Sequence, residues 1–246
     1  MNIPQPAATP APLRDARVLI VGVGGLGSPA AMALAEAGVG TLGLVDPDQV
    51  EISNLHRQPL YAEADVGRPK VEAAAERLAA TWPHLRVVQD RRRFGIGDAR
   101  LLAGWDAVVD GTDTVDAKFV VNDAAVAAGV PLAHAGAVGF RAQVLAVLPG
   151  ESACYRCVFE EPPAPEDAPS CEAAGVLGPV VALAGAWQAA QVLQVLSGVR
   201  PGRAARLRTI DLRTGTWRSV PLARNPACAA CGPTTIVEAA RRSAVP

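Results

Sequence analysis

The 246-residue chain has almost no net charge: 23 Lys and Arg stand against 24 Asp and Glu, leaving −1 and a pI near 6.3. That balance excludes the basic footprint of a nucleic-acid binder and any bulk pull toward an anionic membrane, so charge has to act locally. Residues 1–12 carry neither a charge nor an apolar h-region, which argues against a signal peptide or anchor. They are expected to be a disordered lead-in to a single domain over 13–246, working in the cytoplasm. Long uninterrupted apolar runs are also scarce. Val176–Leu196 comes nearest, but Gln188, Gln191 and Gln194 give its second half a polar stripe, so it is expected to be a buried or interface helix. Five cysteines are an odd count, and with no export signal a disulfide framework is not expected.

Half of the residues are hydrophobic, enough for one α/β domain with a sizeable core. Arg17–Val21 is a continuous aliphatic run, the pattern of a strand buried on both faces, and it ends in Gly22, Gly24, Gly25 and Gly27. Ser28–Ala37 reads as a helix with Pro29 in its first turn, where a missing N–H costs nothing. A glycine turn running into a helix lets backbone approach a pyrophosphate and offers it unpaired N–H groups. A second strand, Thr41–Val45, ends in Asp46, 19 positions past Gly27, where a carboxylate can accept from ribose hydroxyls.

These glycines alone fit an NAD-dependent enzyme at least as well as any other nucleotide protein. The continuation shifts the reading: Asp48, Asn54, Arg57 and Gln58, then Arg68 and Lys70, form a polar, cationic segment suited to a triphosphate. Strands are expected at Arg86–Val88 and Trp105–Val109, the latter entering Asp110-Gly111-Thr112-Asp113, with helices over Gly67–Trp82 and Ala117–Ala128. That alternation gives a Rossmann-like, doubly wound, mainly parallel sheet with ligands at the carboxyl ends of its strands, where Asp46 and Asp113 both fall. Leu132–Ala135, Gln143–Val147, Leu207–Leu212 and Thr216–Pro221 predict a partly antiparallel C-terminal extension across that crevice. Glu160–Ser170, rich in proline and acids, is expected to be a mobile loop continuing to residue 171. Arg91–Arg93 reads as a solvated turn, and His56, His84 and His134 show no ligand spacing.

Cys154-x-x-Cys157 and Cys228-x-x-Cys231 are two C-x-x-C pairs separated by 71 positions. A closed four-sulfur zinc site suits them, since tetrahedral S₄ coordination leaves no place for water. A repeated redox motif or four unrelated thiols are the alternatives. Cys171 is left over and could be an incidental thiol.

GVGGLGS, VDPDQVEISNLHRQ, GRPKVEAA and VVDGTD, in that order, resemble the ThiF/MoeB/HesA family, bacterial relatives of ubiquitin-activating enzymes. The resemblance spans roughly residues 13–232. It implies an ATP-dependent adenylyltransferase that activates the C-terminal Gly-Gly carboxylate of a small ubiquitin-fold sulfur carrier as an acyl-adenylate. The nucleotide would lie on Gly22, Gly24, Gly25, Gly27, Asp46, Asp48, Ser53, Asn54, Arg57, Gln58, Lys70 and Asp113. Arg57, Lys70 and Asp113 would be catalytic, Asp113 holding Mg²⁺, with Zn²⁺ on the four paired cysteines and Cys171 a possible covalent link to the carrier. A homodimer and a separate persulfide sulfur donor are further implications. The chain departs from the family at Thr114 and Lys118, where Asn and Arg are usual, and has no Arg-Tyr-x-Arg-Gln segment before its first strand. That last departure leaves a non-catalytic carrier-binding scaffold as a rival, beside the NAD oxidoreductase.

Overall fold

The strand β1 (Arg17–Val21) is apolar without alternation because both of its faces are covered. Val18 and Ile20 pack into one hydrophobic cluster, Leu19 and Val21 into another on the opposite side of the sheet. The computed structural model describes residues 11–163, 175–199 and 205–233. From β1 the chain enters α2 (Gly27–Glu36), preceded in sequence by a short α1 (Ala11–Asp15), and continues through β2 (Thr41–Val45), α3 (Lys70–Thr81) and β3 (Arg86–Asp90). Next come β4 (Ala107–Asp110), α4 (Val115–Ala128), β5 (Leu132–Val138) and β6 (Arg141–Val147). A long helix α5 (Gly178–Leu196) and the hairpin β7 (Ala205–Asp211) and β8 (Thr216–Leu222) complete the described elements.

The eight strands among the described residues form one sheet in the order β3-β2-β1-β4-β5-β6-β7-β8. The first five are parallel, and β5 through β8 pair antiparallel. The chain winds outward from β1 through β2 to β3 and then returns to β4 on the other side of β1, so the crevice outside the carboxyl ends of β1 and β4 is the topological switch point. The expected antiparallel extension is present. It continues the sheet edge to edge and flanks the crevice.

Helices α2, α3 and α5 cover one face. The other carries α4, the 96–102 turn and the paired cysteines. Helix α4 is capped at both ends: the Thr114 hydroxyl accepts from the Ala117 N–H, and Gly129, at φ 72°, closes it in the left-handed region. Helix α3 starts at Lys70, later than expected, because residues 67–69 are drawn into extended pairing with the Asp48–Val50 segment. Helix α5 is long and apolar enough to cross a bilayer, yet it packs on α2, β5 and β6. Two of its stripe glutamines, Gln188 and Gln191, are buried, and the Gln188 amide donates to the Asp110 and Ala133 carbonyls at 2.8 Å.

Candidate active site

The glycine turn after β1 is shaped by contacts that only hydrogen permits. Gly22 has φ 86°, and a Cβ on Gly27 would lie 1.9 Å from the Gly22 carbonyl oxygen. The turn after β4 beds directly on it, since a Cβ on Gly111 would lie 2.2 Å from that same oxygen. Helix α2 then begins with neither a side-chain cap nor a first-turn acid, which leaves its amino end to an anion. Gly22, Gly24 and Gly25 line the cleft, whereas Gly27 serves packing.

Asp46, 4% exposed, follows β2 and holds two turns together. Its carboxylate accepts from the Val23 N–H at 2.7 Å and the Asp48 N–H at 2.9 Å. Burial raises its pKa above the usual 3.8, against the pull of nearby Lys70 and those two N–H groups. Beside it Lys70, 7% exposed at the first position of α3, donates to Asp48 at 3.0 Å. The helical turn Ile52–Arg57 presents Arg57, whose guanidinium is steadied by Asn54 Oδ1 at 2.7 Å and the Ser53 carbonyl at 3.3 Å. Asp48, Asn54, Arg57, Gln58, Lys70 and Asp113 all line the same cleft. The Ser53 side chain does not; its hydroxyl donates to Glu51 instead. Asp113 is exposed at the cleft wall, three residues beyond the end of β4, and a single carboxylate beside bound phosphates is an ordinary Mg²⁺ arrangement.

The cleft, about 1710 Å³, is larger than a small-molecule pocket needs, typically ~300–1,000 Å³. Its lining also includes Gly136–Val138, Arg141 and Gln143 and reaches Thr209, Thr216 and Arg218. The basic turn 91–93 is not simply solvated: Arg92 and Arg93 line the cleft, and Arg92 is tied to Asp90 and Asp98 at 2.6 and 2.7 Å. Arg14, the one arginine of residues 1–16 and so the only one that could stand in for the missing Arg-Tyr-x-Arg-Gln segment, does not line this chain's cleft. Its backbone sits against Gly40, at the amino end of β2, opposite the switch point.

Cys154, Cys157, Cys228 and Cys231 converge, with all four sulfurs within 4.8 Å of one another. Neighbouring sulfurs lie 3.4–3.9 Å apart, too far for disulfides and close to the ~3.8 Å edge of a tetrahedron with 2.3 Å metal–sulfur bonds. The donor set therefore fits a structural zinc. This knuckle is bolted to α4: the Tyr155 N–H donates to Asn122 Oδ1 at 2.9 Å, and Arg156 makes a forked pair with Asp123 at 2.8 Å. Cys171 lies outside the described residues, as does most of the loop expected to carry it.

Sequence reasoning passed over one cluster. Asp110, fully buried, accepts from His134 Nδ1 at 2.7 Å and Lys118 Nζ at 3.2 Å. Burial would raise its pKa, but Lys118 and His134 outweigh burial and hold the carboxyl well below the usual range. Asp110 and His134 are register partners on β4 and β5, a neighbourhood no linear spacing reveals.

The profile of the ThiF family matches residues 7–230. A sulfur carrier protein adenylyltransferase of Thermus thermophilus is 42% identical, the match covering 89% of this chain and 83% of that protein. The sulfur carrier protein ThiS adenylyltransferase of Escherichia coli is also 42% identical, with 89% and 87% covered. Among solved structures, Escherichia coli MccB with AMPCPP and MccA superposes with a TM-score of 0.79 at 28% identity, over 90% of this chain and 68% of that one.

Proposed function

The chain belongs to the ThiF family, and from that premise and the cleft's geometry we propose that it adenylates the C-terminal carboxylate of a small ubiquitin-fold sulfur-carrier protein ending in Gly-Gly. A carboxylate oxygen of the carrier attacks the α-phosphorus of ATP. An oxygen–phosphorus bond forms as the bond to the bridging oxygen of the β-phosphate breaks, giving an acyl-adenylate and pyrophosphate. The glycine turn and the amino end of α2 bind phosphates, and Asp46 accepts from the ribose hydroxyls. Arg57 and Lys70 offset the charge that develops on the leaving pyrophosphate. Asp113 would hold Mg²⁺, which when bound neutralises phosphate charge. Zn²⁺ on the four cysteines would be structural, fixing the C-terminal segment to the middle of the chain.

One observation carries this reading: Arg57 and Lys70 line the same cleft as the glycine turn, and that cleft continues along β5 and β6 to the β7–β8 hairpin, beyond what a nucleotide alone needs. A persulfide sulfur from a separate donor, displacing AMP, is the step that would follow, in a cytoplasmic homodimer. The test is ATP–pyrophosphate exchange with candidate carriers. Exchange should require a free C-terminal carboxylate and disappear when the terminal Gly-Gly is removed. Binding of NAD in preference to ATP, or carrier binding without exchange, would favour one of the rivals, and a stable monomer by light scattering would remove the homodimer.

A further inference from the structure

The chain contains two lysines among its 23 basic residues, Lys70 and Lys118. Both are buried at the cleft wall, 7% and 8% exposed, and each is paired with an aspartate. Lys70 has a role in the scheme above; Lys118, one turn into α4, does not. Its ammonium donates to Asp110 Oδ2 at 3.2 Å and to the Thr112 carbonyl at 2.7 Å. The other oxygen of Asp110 accepts from the Thr112 N–H at 3.0 Å and the Thr112 hydroxyl at 2.5 Å. Every polar atom of Thr112 is thereby engaged by this one ion pair. On its other side Gly111 is bedded on Gly22, and on the far side of the pair His134 orients Asp110. The residue this arrangement delivers, with its backbone direction already set, is Asp113.

We infer that Lys118 is a positioning residue: with Asp110 it locks the Thr112–Asp113 peptide so that the Asp113 carboxylate meets a divalent cation on the nucleotide's phosphates. This rests on the reading that Asp113 holds the cation. A compact ammonium with rotatable donors can serve the carboxylate and the carbonyl together in a confined space. Two of its three N–H groups point into the protein, so its principal work is on the loop. Misplacing a reacting group by about 1 Å can cost ~100-fold in rate, which makes such a lock worth building.

The test titrates Mg²⁺ against ATP binding by calorimetry in the full chain and in Lys118→Met, Lys118→Arg and Asp113→Asn. Thermal midpoint and metal content of the four-cysteine site are measured alongside to confirm the fold. Lys118→Met should raise the Mg²⁺ concentration for half-maximal binding by about 10-fold or more, as Asp113→Asn does, while changing Mg²⁺-free ATP affinity less than about 3-fold. Lys118→Arg, which keeps the positive charge beside Asp110, should recover part of the loss. If Lys118→Met weakens ATP equally with and without Mg²⁺, or has no effect while Asp113→Asn does, the positioning role is overturned and the cation site stands. If Asp113→Asn leaves the Mg²⁺ dependence unchanged, the cation site itself fails and the inference goes with it. Should Lys118→Met not fold, Thr112→Val removes one tether and leaves the ion pair, and the same titration decides.

Discussion

Asp110 shows how much can rest on one carboxylate. It is fully buried, so its charge is tolerable only because Lys118, His134 and Thr112 surround it. Its pKa is depressed in the folded state relative to 3.8 when unfolded, so it contributes stability that is fully present above about pH 4 and is lost as pH falls further. Asp110→Asn should therefore cost about 3–5 kcal/mol near neutrality, the usual penalty for breaking a buried pair. The gap between the thermal midpoints of wild type and variant should stay constant from pH 6 to 5 and narrow below about pH 4. A gap that does not change down to pH 3 would mean the carboxylate is not carrying its charge. At this scale the sequence is legible only in part. Asp46 and the glycines announce themselves by spacing, whereas the Asp110–His134 contact depends on the register of β4 against β5, and Lys118, read in the sequence only as standing where Arg is usual, meets Asp110 once α4 is placed.

Among the elements, α4 joins two regions with different chemistry. Its first turn follows Asp113, and its middle holds the cysteine knuckle through Asn122 and Asp123. The ring of Tyr155 fills the space between, packed against Phe119, His134 and Phe159 with centroids 4.7–5.0 Å apart. Asn122→Ala should leave the buried Tyr155 N–H without an acceptor and cost about 1–3 kcal/mol. It should also speed loss of metal to a chelator. Thermal unfolding and a colorimetric zinc-release assay measure the two effects, and unchanged release would show that the knuckle holds itself. Element boundaries were readable where one force dominated. The aliphatic run of β1 and the end of α4 at Ala128 lie where expected, but α3 starts late because residues 67–69 pair with another segment, and pairing partners are invisible in a linear pattern.

For the whole molecule, the four-cysteine site closes a loop whose pairs lie 71 positions apart, and it fastens the segment after β8 under β5 and β6. Metal binding of this kind is coupled to folding. Cys228→Ser is expected to lower the thermal midpoint by at least about 5–10 °C, which corresponds to a few kcal/mol in a chain of this size. Elemental analysis should show less than one bound zinc per chain in that variant, and a stoichiometric zinc with an unchanged midpoint would reject the assignment. This architecture was the most legible scale of all, because alternating strands and helices and paired C-x-x-C motifs constrain topology even when individual contacts stay hidden.

The sheet order also sets a timetable. β1 pairs with β4, and the Arg17 N–H binds the side chain of Asp106, 89 residues downstream. The wall on which the glycine turn beds therefore does not exist until β4 has been synthesised, and contacts so distant in sequence form slowly. The β5–β6 and β7–β8 hairpins are local and can form as soon as they emerge. Cys228 and Cys231 follow every described strand, so on a ribosome metal capture would come after the strands of the sheet have emerged, and zinc uptake by a refolding chain would serve as a clock for the sheet's closure.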